Sequence, residues 1–274
     1  MDPSVKPINQ PSSQHDDQRL SEMRPARESS AHGQLERDAQ SGSISPQIHT
    51  RAHSFGVSHA TAPLISQAPC WHDAVYQQAQ GDMSKVRWAD GRPNPMMVSW
   101  LNAEAPGLVR PGSRVVVVGC GLGDDVAELV CRGYDAVGFD VSPTAVSWAR
   151  KRFPDHASLF NVADVMAIPA RFRHRFDLVI EIYTLQSLDP ARRERAAAGV
   201  ASLAGPQGHV LAICRGRDEA QLLEHLQGPP WPLCPSELLG LMEANGLRPL
   251  HGLDDFFDDE SKPVRRLRGV FVRA

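Results

Sequence analysis

The stretch 115–130 constrains the fold of this chain more than any other. Residues 115–118 are four consecutive valines, a pattern typical of a strand that is buried on both faces of a sheet. Three glycines follow at alternate positions: Gly119, Gly121 and Gly123. Glycine lets the backbone turn tightly beside a ligand, and the amphipathic segment that begins at Asp124 predicts a helix. A strand, a glycine turn and a helix in this order predict the nucleotide-binding corner of a doubly wound α/β fold.

The N-terminal residues 1–62 differ in composition from the rest of the chain. They contain no tryptophan or tyrosine and are rich in Ser, Gln, His, Pro and Arg, without a sustained helical or strand period. Such a segment buries too little apolar surface to offset its conformational entropy, so we predict a disordered tail. Its histidines are scattered rather than placed at ligand spacing, and no metal site is predicted.

The net charge and the cysteine spacing limit the kinds of partner and the cellular compartment that the sequence predicts. The net charge of -3 gives no electrostatic argument for nucleic acid or an anionic membrane as a partner. No apolar run approaches the length of a membrane span. The five cysteines lie apart and lack Cys-x-x-Cys spacing, which favours a reduced, cytoplasmic protein without structural zinc. We expect a monomer or a homodimer.

Alternating strand and helix patterns predict a single domain over residues 63–274. Residues 63–110 are expected to form an N-terminal lid and short helices, and residues 111–274 a Rossmann-like core. Strands are predicted at 115–118, 135–140, 157–162, 176–183, 208–214, 247–253 and 267–272, the last two as an antiparallel pair. The charged run 192–195, inside a predicted helix over 191–203, is interpreted as a solvated face. The alternation predicts a seven-stranded, mostly parallel sheet with helices on both faces.

The glycine spacing narrows the class of ligand. A dinucleotide fingerprint has the form Gly-x-Gly-x-x-Gly, whereas Asp124 occupies the place of the third glycine here. A carboxylate at this position repels a pyrophosphate on the helix N-terminus. It suits a ligand that has no phosphates and carries a cationic amino group, such as S-adenosylmethionine.

Two acids at predicted strand ends fit the same ligand. Asp140 ends the second strand, about twenty residues after the glycines, where a carboxylate can accept both ribose hydroxyls. Asp164 follows the third strand and is expected to accept from the adenine amino group, and Val141 and Val165 complete the predicted cofactor contacts. This constellation resembles the class I S-adenosylmethionine-dependent methyltransferases over roughly residues 70–274. The resemblance implies the Rossmann-like methyltransferase fold, S-adenosylmethionine as the cofactor and S-adenosylhomocysteine as the product.

The residues that precede the glycines resemble one branch of this class. Trp71, Tyr76 and the run 88–95 (Trp-Ala-Asp-Gly-Arg-Pro-Asn-Pro) look like the lid of thiopurine methyltransferase-like enzymes, which methylate small molecules. The resemblance implies that Trp88 folds over the cofactor and that Trp71 faces the acceptor. The chain departs from the broader class at Val117, where an acidic residue commonly holds the cofactor's amino group. Asp124 is the residue that we expect to replace it.

Further site residues are predicted at the ends of the fourth and fifth strands. Glu181 and Tyr183 are expected beside the methyl donor and are the candidate catalytic residues. Glu181 is also a candidate cofactor contact, and Tyr183 a candidate substrate contact. Arg215, Arg217 and Trp231 lie on or near the ligand edge of the sheet and are the remaining candidate acceptor contacts.

The predicted activity is methyl transfer from S-adenosylmethionine to a thiol, hydroxyl or ring nitrogen of a small molecule. Because the donor is already activated, proximity and alignment supply most of the catalysis, and a base is needed only when the acceptor must lose a proton. Three alternatives remain open: a non-catalytic S-adenosylmethionine-binding protein, an NAD-dependent oxidoreductase and an RNA methyltransferase. Asp124 disfavours the second, and the net charge disfavours the third.

Overall fold

A mixed eight-stranded sheet forms the centre of the molecule in the computed structural model, which describes residues 70–273. The strands are β1 (Arg114–Val118), β2 (Asp135–Asp140), β3 (Phe160–Val162), β4 (Phe176–Ile182), β5 (Ala204–Arg215), β6 (Leu247–Pro249), β7 (Asp254–Phe257) and β8 (Arg265–Arg273). The helices are α1 (Trp71–Ala79), α2 (Pro95–Ala103), α3 (Asp124–Cys131), α4 (Pro143–Arg152), α5 (Thr184–Ser187), α6 (Arg193–Leu203) and α7 (Pro235–Glu243). The predicted tail 1–62 and the expected domain start at residue 63 lie outside the described residues.

The strand order confirms the predicted doubly wound arrangement. The order is β3-β2-β1-β4-β5-β8-β6, with β1 in parallel pairing to both β2 and β4. The carboxyl ends of β1, β2 and β4 therefore meet at one edge of the sheet, where ligands bind in this class of fold. β8 runs antiparallel to β5, and the pairing of Arg215 with Arg266 brings the start of β8 to this same edge.

The structure has one strand more than the seven that the sequence predicts. The additional strand is β7, which pairs antiparallel with β8 and forms a hairpin whose tip is 258–264. Its sequence, Asp-Asp-Phe-Phe, lacks the apolar alternation that marks a strand, and its side chains alternate between part-buried and exposed. The pairing with β8, rather than a local pattern, makes this segment a strand.

Both faces of β1 are buried, as the four valines predict. Val115 and Val117 pack with α2 in one core cluster, whereas Val116 and Val118 pack with α6 in the other.

The start of α4 is determined by residues next to it in the sequence. The Ser142 hydroxyl accepts from the Ala145 N–H and caps α4, and Pro143 occupies the first helical position, as predicted. No helix within residues 70–273 is long and apolar enough to cross a membrane.

The prediction that the run 192–195 is a solvated face is wrong at Arg193. This side chain is only 1% exposed, although Arg192 and Glu194 on either side are exposed. Its guanidinium donates to the Leu185 and Trp231 carbonyl oxygens and pairs with Glu237. The phase of α6 turns Arg193 inward, and residues distant in sequence supply its acceptors.

Candidate active site

The glycine turn after β1 is hydrogen-bonded to the end of β2. Gly119, Gly121 and Gly123 all have positive φ, at 64°, 49° and 91°. A Cβ at Gly119 would clash with the Thr184 side chain at the start of α5, so this position admits only glycine unless that side chain shifts. The Gly121 N–H donates to Asp140 Oδ2 at 3.0 Å, which holds the turn against β2.

Asp140 is a buried acid of the predicted cofactor site that accepts two backbone hydrogen bonds. Its side chain is buried, and Oδ1 accepts from the Ser142 N–H at 2.8 Å while Oδ2 accepts from Gly121. Burial raises the pKa of Asp140, and the two backbone N–H groups oppose that rise. Each carboxylate oxygen has a further lone pair, so the residue can accept ribose hydroxyls without giving up its hold on the turn. Val141 follows it at the same edge.

The end of β3 brings a second acid to this edge. Asp164 is part-buried, and its Oδ1 accepts from the Met166 N–H at 2.8 Å. Val165, the next residue, is buried in the core. Asp140 and Asp164 thus follow adjacent parallel strands, as the sequence predicts, with apolar side chains beside them. This arrangement fits a ribose and an adenine ring laid across the ends of β2 and β3.

Asp124 has a cation of its own in the structure. Both of its carboxylate oxygens accept from Arg152 on α4, at 2.6 and 2.7 Å. Its neighbour Asp125, which the sequence predicts only as an acid in the first turn of the helix, has a different partner: its Oδ1 accepts from the Asn94 N–H at 2.7 Å. Because Arg152 compensates the charge of Asp124, the geometry favours Asp124 as a fold contact rather than as the partner of a bound amino group.

A lid segment, residues 71–94, crosses over the glycine turn. At its start, Asp73 accepts from the Ser142 hydroxyl and the Thr144 N–H, which joins α1 to the beginning of α4. In its middle, the Tyr76 hydroxyl lies against Gly121, 3.2 Å from where a Cβ would be. Tyr76 also accepts from Trp88 Nε1 at 2.8 Å. The resemblance places Tyr76 in the lid, but the sequence does not include it among the candidate cofactor or acceptor contacts.

Aromatic rings give this lid segment an apolar surface. The rings of Trp71 and Trp88 meet edge-on with centroids 5.6 Å apart, and His72 packs on Trp71 at 3.7 Å. The two tryptophans are 38% and 37% exposed, so neither is committed to the core. Burial lowers the pKa of His72 to about 4, which keeps its ring neutral at neutral pH. The lid segment therefore presents neutral aromatic surface near the turn.

Tyr183 stands at the end of β4 in a left-handed backbone conformation, with φ of 64°. Such a conformation is unusual for a residue other than glycine and recurs at functional sites. The Arg266 guanidinium lies 5.1 Å from the centre of its ring. Burial raises the pKa of the phenol, and Arg266 and the Asn94 side chain oppose the rise. Tyr183 is therefore protonated at neutral pH and is able to donate a hydrogen bond, not to act as a base.

Glu181, two residues earlier, is fully buried beneath α5. Its Oε1 accepts from the Leu185 N–H at 2.9 Å, and its Oε2 has no hydrogen-bond partner among residues 70–273. Burial raises its pKa to about 7, and the backbone N–H groups of Leu185 and Thr184 and the charge of Arg193 oppose the rise. This placement favours a residue that positions α5 and Tyr183 over one that touches the donor.

Replacing Glu181 with glutamine is expected to stabilise the protein by about 2–3 kcal/mol at pH 8. The pKa of this carboxyl is about 7 in the folded state and 4.5 when unperturbed, so the folded state binds more protons between these values. Wild-type stability therefore falls as pH rises through this window, whereas the Glu181→Gln variant lacks that component. Urea unfolding at pH 4.5 and pH 8 measures the difference, and equal stability of the two proteins at pH 8 would contradict it.

The predicted acceptor residues after β5 are partly committed to the fold. Arg217 is buried and donates to the Gln221 carbonyl oxygen and to Glu237. The Trp231 N–H donates to the Gln186 carbonyl oxygen, and the Arg215 N–H donates to the Gln186 side chain. These contacts hold the loop 216–234 against the strand edge. Of the three predicted residues, the Arg215 and Trp231 side chains remain part-exposed.

Comparison with known proteins is consistent with this geometry. Residues 115–208 match a family described as a methyltransferase domain. A probable thiol methyltransferase 2 of Arabidopsis thaliana is 26% identical over 64% of this chain and 76% of its own length. A ubiquinone biosynthesis O-methyltransferase of Ralstonia nicotianae is 29% identical over 59% of this chain and 73% of its own length.

A solved structure shows the same fold. The 1,6-didemethyltoxoflavin-N1-methyltransferase of Burkholderia thailandensis superposes with a TM-score of 0.57, at 19% identity, over 78% of this chain and 93% of its own. The fold, the domain match and the relatives support the same activity. The protein is an S-adenosylmethionine-dependent methyltransferase with the Rossmann-like methyltransferase fold.

Proposed function

We propose that this protein methylates a small-molecule acceptor, with a thiol as the first candidate and a hydroxyl as the second. The observation that carries the proposal is the convergence of the glycine turn, Asp140 and Asp164 at one edge of the sheet, beneath an aromatic lid segment. The similarity to a protein named a thiol methyltransferase supports the first acceptor. The similarity to an O-methyltransferase supports the second.

The residues present fit the donor that the fold implies. Asp140 is able to accept hydrogen bonds from the ribose hydroxyls, and Asp164 is able to accept one from the adenine amino group. Trp88 of the lid segment is able to cover the bound donor. S-adenosylmethionine supplies, when bound, a methyl group that is already activated for in-line displacement. The chain then has to align the acceptor and exclude water, tasks for which effective molarities correspond to roughly 7–11 kcal/mol. We assign the alignment of the acceptor to Tyr183, Arg215 and Trp231. We assign the exclusion of water from the acceptor to Trp71.

The proposal does not require a general base at this edge. Tyr183 keeps its proton at neutral pH, and the low pKa of His72, about 4, makes its neutral ring a weak base. A thiol with an ordinary pKa near 8.5 is partly ionised at neutral pH, so a thiol acceptor is able to lose its proton to solvent. A hydroxyl acceptor would need a base, and this difference favours the thiol. The proposal also includes a cytoplasmic location, a monomer or homodimer, and no nucleic-acid partner.

Two measurements test the proposal. Calorimetry with S-adenosylhomocysteine is expected to show binding to the full-length protein, and no binding would refute the cofactor site. Labelled S-adenosylmethionine is then offered with thiols, phenols and heteroaromatic nitrogens, and each thiol is paired with its S-methylated form as a control. We expect methylated thiol and S-adenosylhomocysteine in equal amounts. Binding without turnover on any acceptor would instead support a non-catalytic binding protein.

A further inference from the structure

The lid segment joins α2 through a tripeptide that has only one backbone N–H donor. In Pro93-Asn94-Pro95 both prolines lack an N–H, so the Asn94 N–H is the single backbone donor of this turn. That N–H donates to Asp125 Oδ1 on α3 at 2.7 Å. The Asn94 side chain is used as well, because its oxygen accepts from the Met96 and Met97 N–H groups and caps α2. One residue thus joins the lid segment, α2 and α3.

Asp125 is held at this place without a cation. It is part-buried in the first turn of α3, and no salt bridge to it occurs among residues 70–273. Burial raises its pKa to about 6, nearby Asp124, Glu128 and Asp90 add to the rise, and the Asn94 N–H opposes it. The lid segment therefore stabilises the Asp125 carboxylate, and the carboxylate in turn holds the lid segment.

The two partners lie between the cofactor turn and the acceptor edge. Asp125 lies two residues after Gly123. Its negative charge adds to the effect of burial and of Asp140 in raising the pKa of the Cys120 thiol inside the turn. On the other side, the Asn94 side chain lies close enough to Tyr183 to lower the pKa of the phenol. The hydrogen bond between the Asn94 N–H and Asp125 thus joins the end of the lid segment to the helix that follows the glycine turn.

We propose that Asp125 is a positioning residue, a latch that holds the end of the lid segment across the glycine turn and sets Asn94 beside Tyr183. The inference rests on the proposed function, because it assigns the latch to a lid over a bound donor. The start of the lid segment has separate anchors at Ser142 and Gly121. Loss of the latch is therefore expected to free residues 86–94 while α1 stays in place.

Limited tryptic digestion of the full-length protein measures the latch directly. Lys85 and Arg87 are exposed cleavage sites inside the lid segment. In the Asp125→Ala variant, cleavage after these residues is expected to be about 10-fold faster than in wild type. The dissociation constant for S-adenosylhomocysteine is expected to rise about 10-fold, the effect of one lost hydrogen bond to a charged group.

Two further variants separate the hydrogen bond from the charge. Asp125→Asn keeps an oxygen acceptor for the Asn94 N–H and is expected to stay within about 3-fold of wild type in both measurements. Asp124→Asn removes the same charge from the same helix turn without touching the lid segment, and it is expected to leave lid cleavage unchanged. Lid cleavage in this control as fast as in Asp125→Ala would overturn the latch, as would wild-type behaviour of Asp125→Ala in either measurement. Equally fast lid cleavage in Asp125→Asn and Asp125→Ala would overturn it too, because the charge of Asp125 rather than its hydrogen bond would then hold the lid segment.

The wild-type protein provides a test that needs no substitution. Hydrogen exchange of the Asn94 amide is expected to be slow, and slower still with saturating S-adenosylhomocysteine. Rapid exchange of this amide would overturn the proposal even if Asp125→Ala does not fold. Failure of the wild type to bind S-adenosylhomocysteine is a different result, because it would refute the proposed function while the cleavage and exchange of the ligand-free protein still report on the latch.

Discussion

Replacing Asp140 with alanine is expected to weaken the binding of S-adenosylhomocysteine at least about 100-fold. The substitution removes two charge-assisted acceptors for the ribose hydroxyls, each worth about 1.5–3 kcal/mol. It also releases the Gly121 N–H, which donates to Asp140 at 3.0 Å, so the turn loses one of its hydrogen bonds to β2. Isothermal titration of the purified variant measures the loss.

Two controls show whether this loss is specific. Asp164→Ala removes one acceptor at the adenine end and is expected to cost only about 5–10-fold, because a single hydrogen bond is at stake. The unfolding temperature of each ligand-free variant shows whether the fold has survived. If folded Asp140→Ala binds S-adenosylhomocysteine within 3-fold of wild type, as a rough threshold, the assignment of Asp140 to the ribose is wrong.

Replacing Arg193 with alanine is expected to destabilise the protein by about 3–5 kcal/mol. The guanidinium is only 1% exposed and donates to the carbonyl oxygens of Leu185 and Trp231 and to the carboxylate of Glu237. Alanine would remove the guanidinium donor from all three acceptors and would leave Glu237 with Arg217 as its remaining cation. For a domain of about 200 residues the unfolding temperature should fall on the order of 10 °C, which calorimetry detects.

The neighbouring arginine is a matched control for this substitution. Arg192 is exposed, and Arg192→Ala is expected to change the free energy of unfolding by less than about 0.5 kcal/mol. Glu237→Ala combined with Arg193→Ala should cost less than the sum of the two single changes, because both single changes remove the same ion pair between Arg193 and Glu237. An Arg193→Ala protein as stable as Arg192→Ala would show that the buried ion pair is not formed.

The network around Arg193 also supports the acceptor side of the site. Through Leu185 it holds α5, which follows Tyr183, and through Trp231 it holds the loop after β5. Glu181 fastens the beginning of the same helix from within the core. The strained backbone of Tyr183 is therefore fixed from both sides, as a residue that aligns an acceptor must be.

Features that depend on neighbouring residues in the chain could be predicted closely. The bounds of β2 and the start of α4 at Ser142-Pro143 agree with the structure, because side-chain branching, capping and proline act locally. The third strand was predicted too long and β7 not at all. Their pairing with β2 and β8 depends on segments far away in sequence, and their own residues have weak strand patterns.

The glycine turn and the acids that follow β2 and β3 were determined by the sequence alone. Parallel strands align their carboxyl ends, so residues that end such strands must meet once the strand order is known. Which of two adjacent acids, Asp124 or Asp125, meets a cation and which holds the lid segment was decided only by the tertiary structure. The same holds for Arg193, which lies in a charged run and yet is buried. The physical reason is that helix phase and distant partners, not residue type, determine where a charged side chain can be compensated.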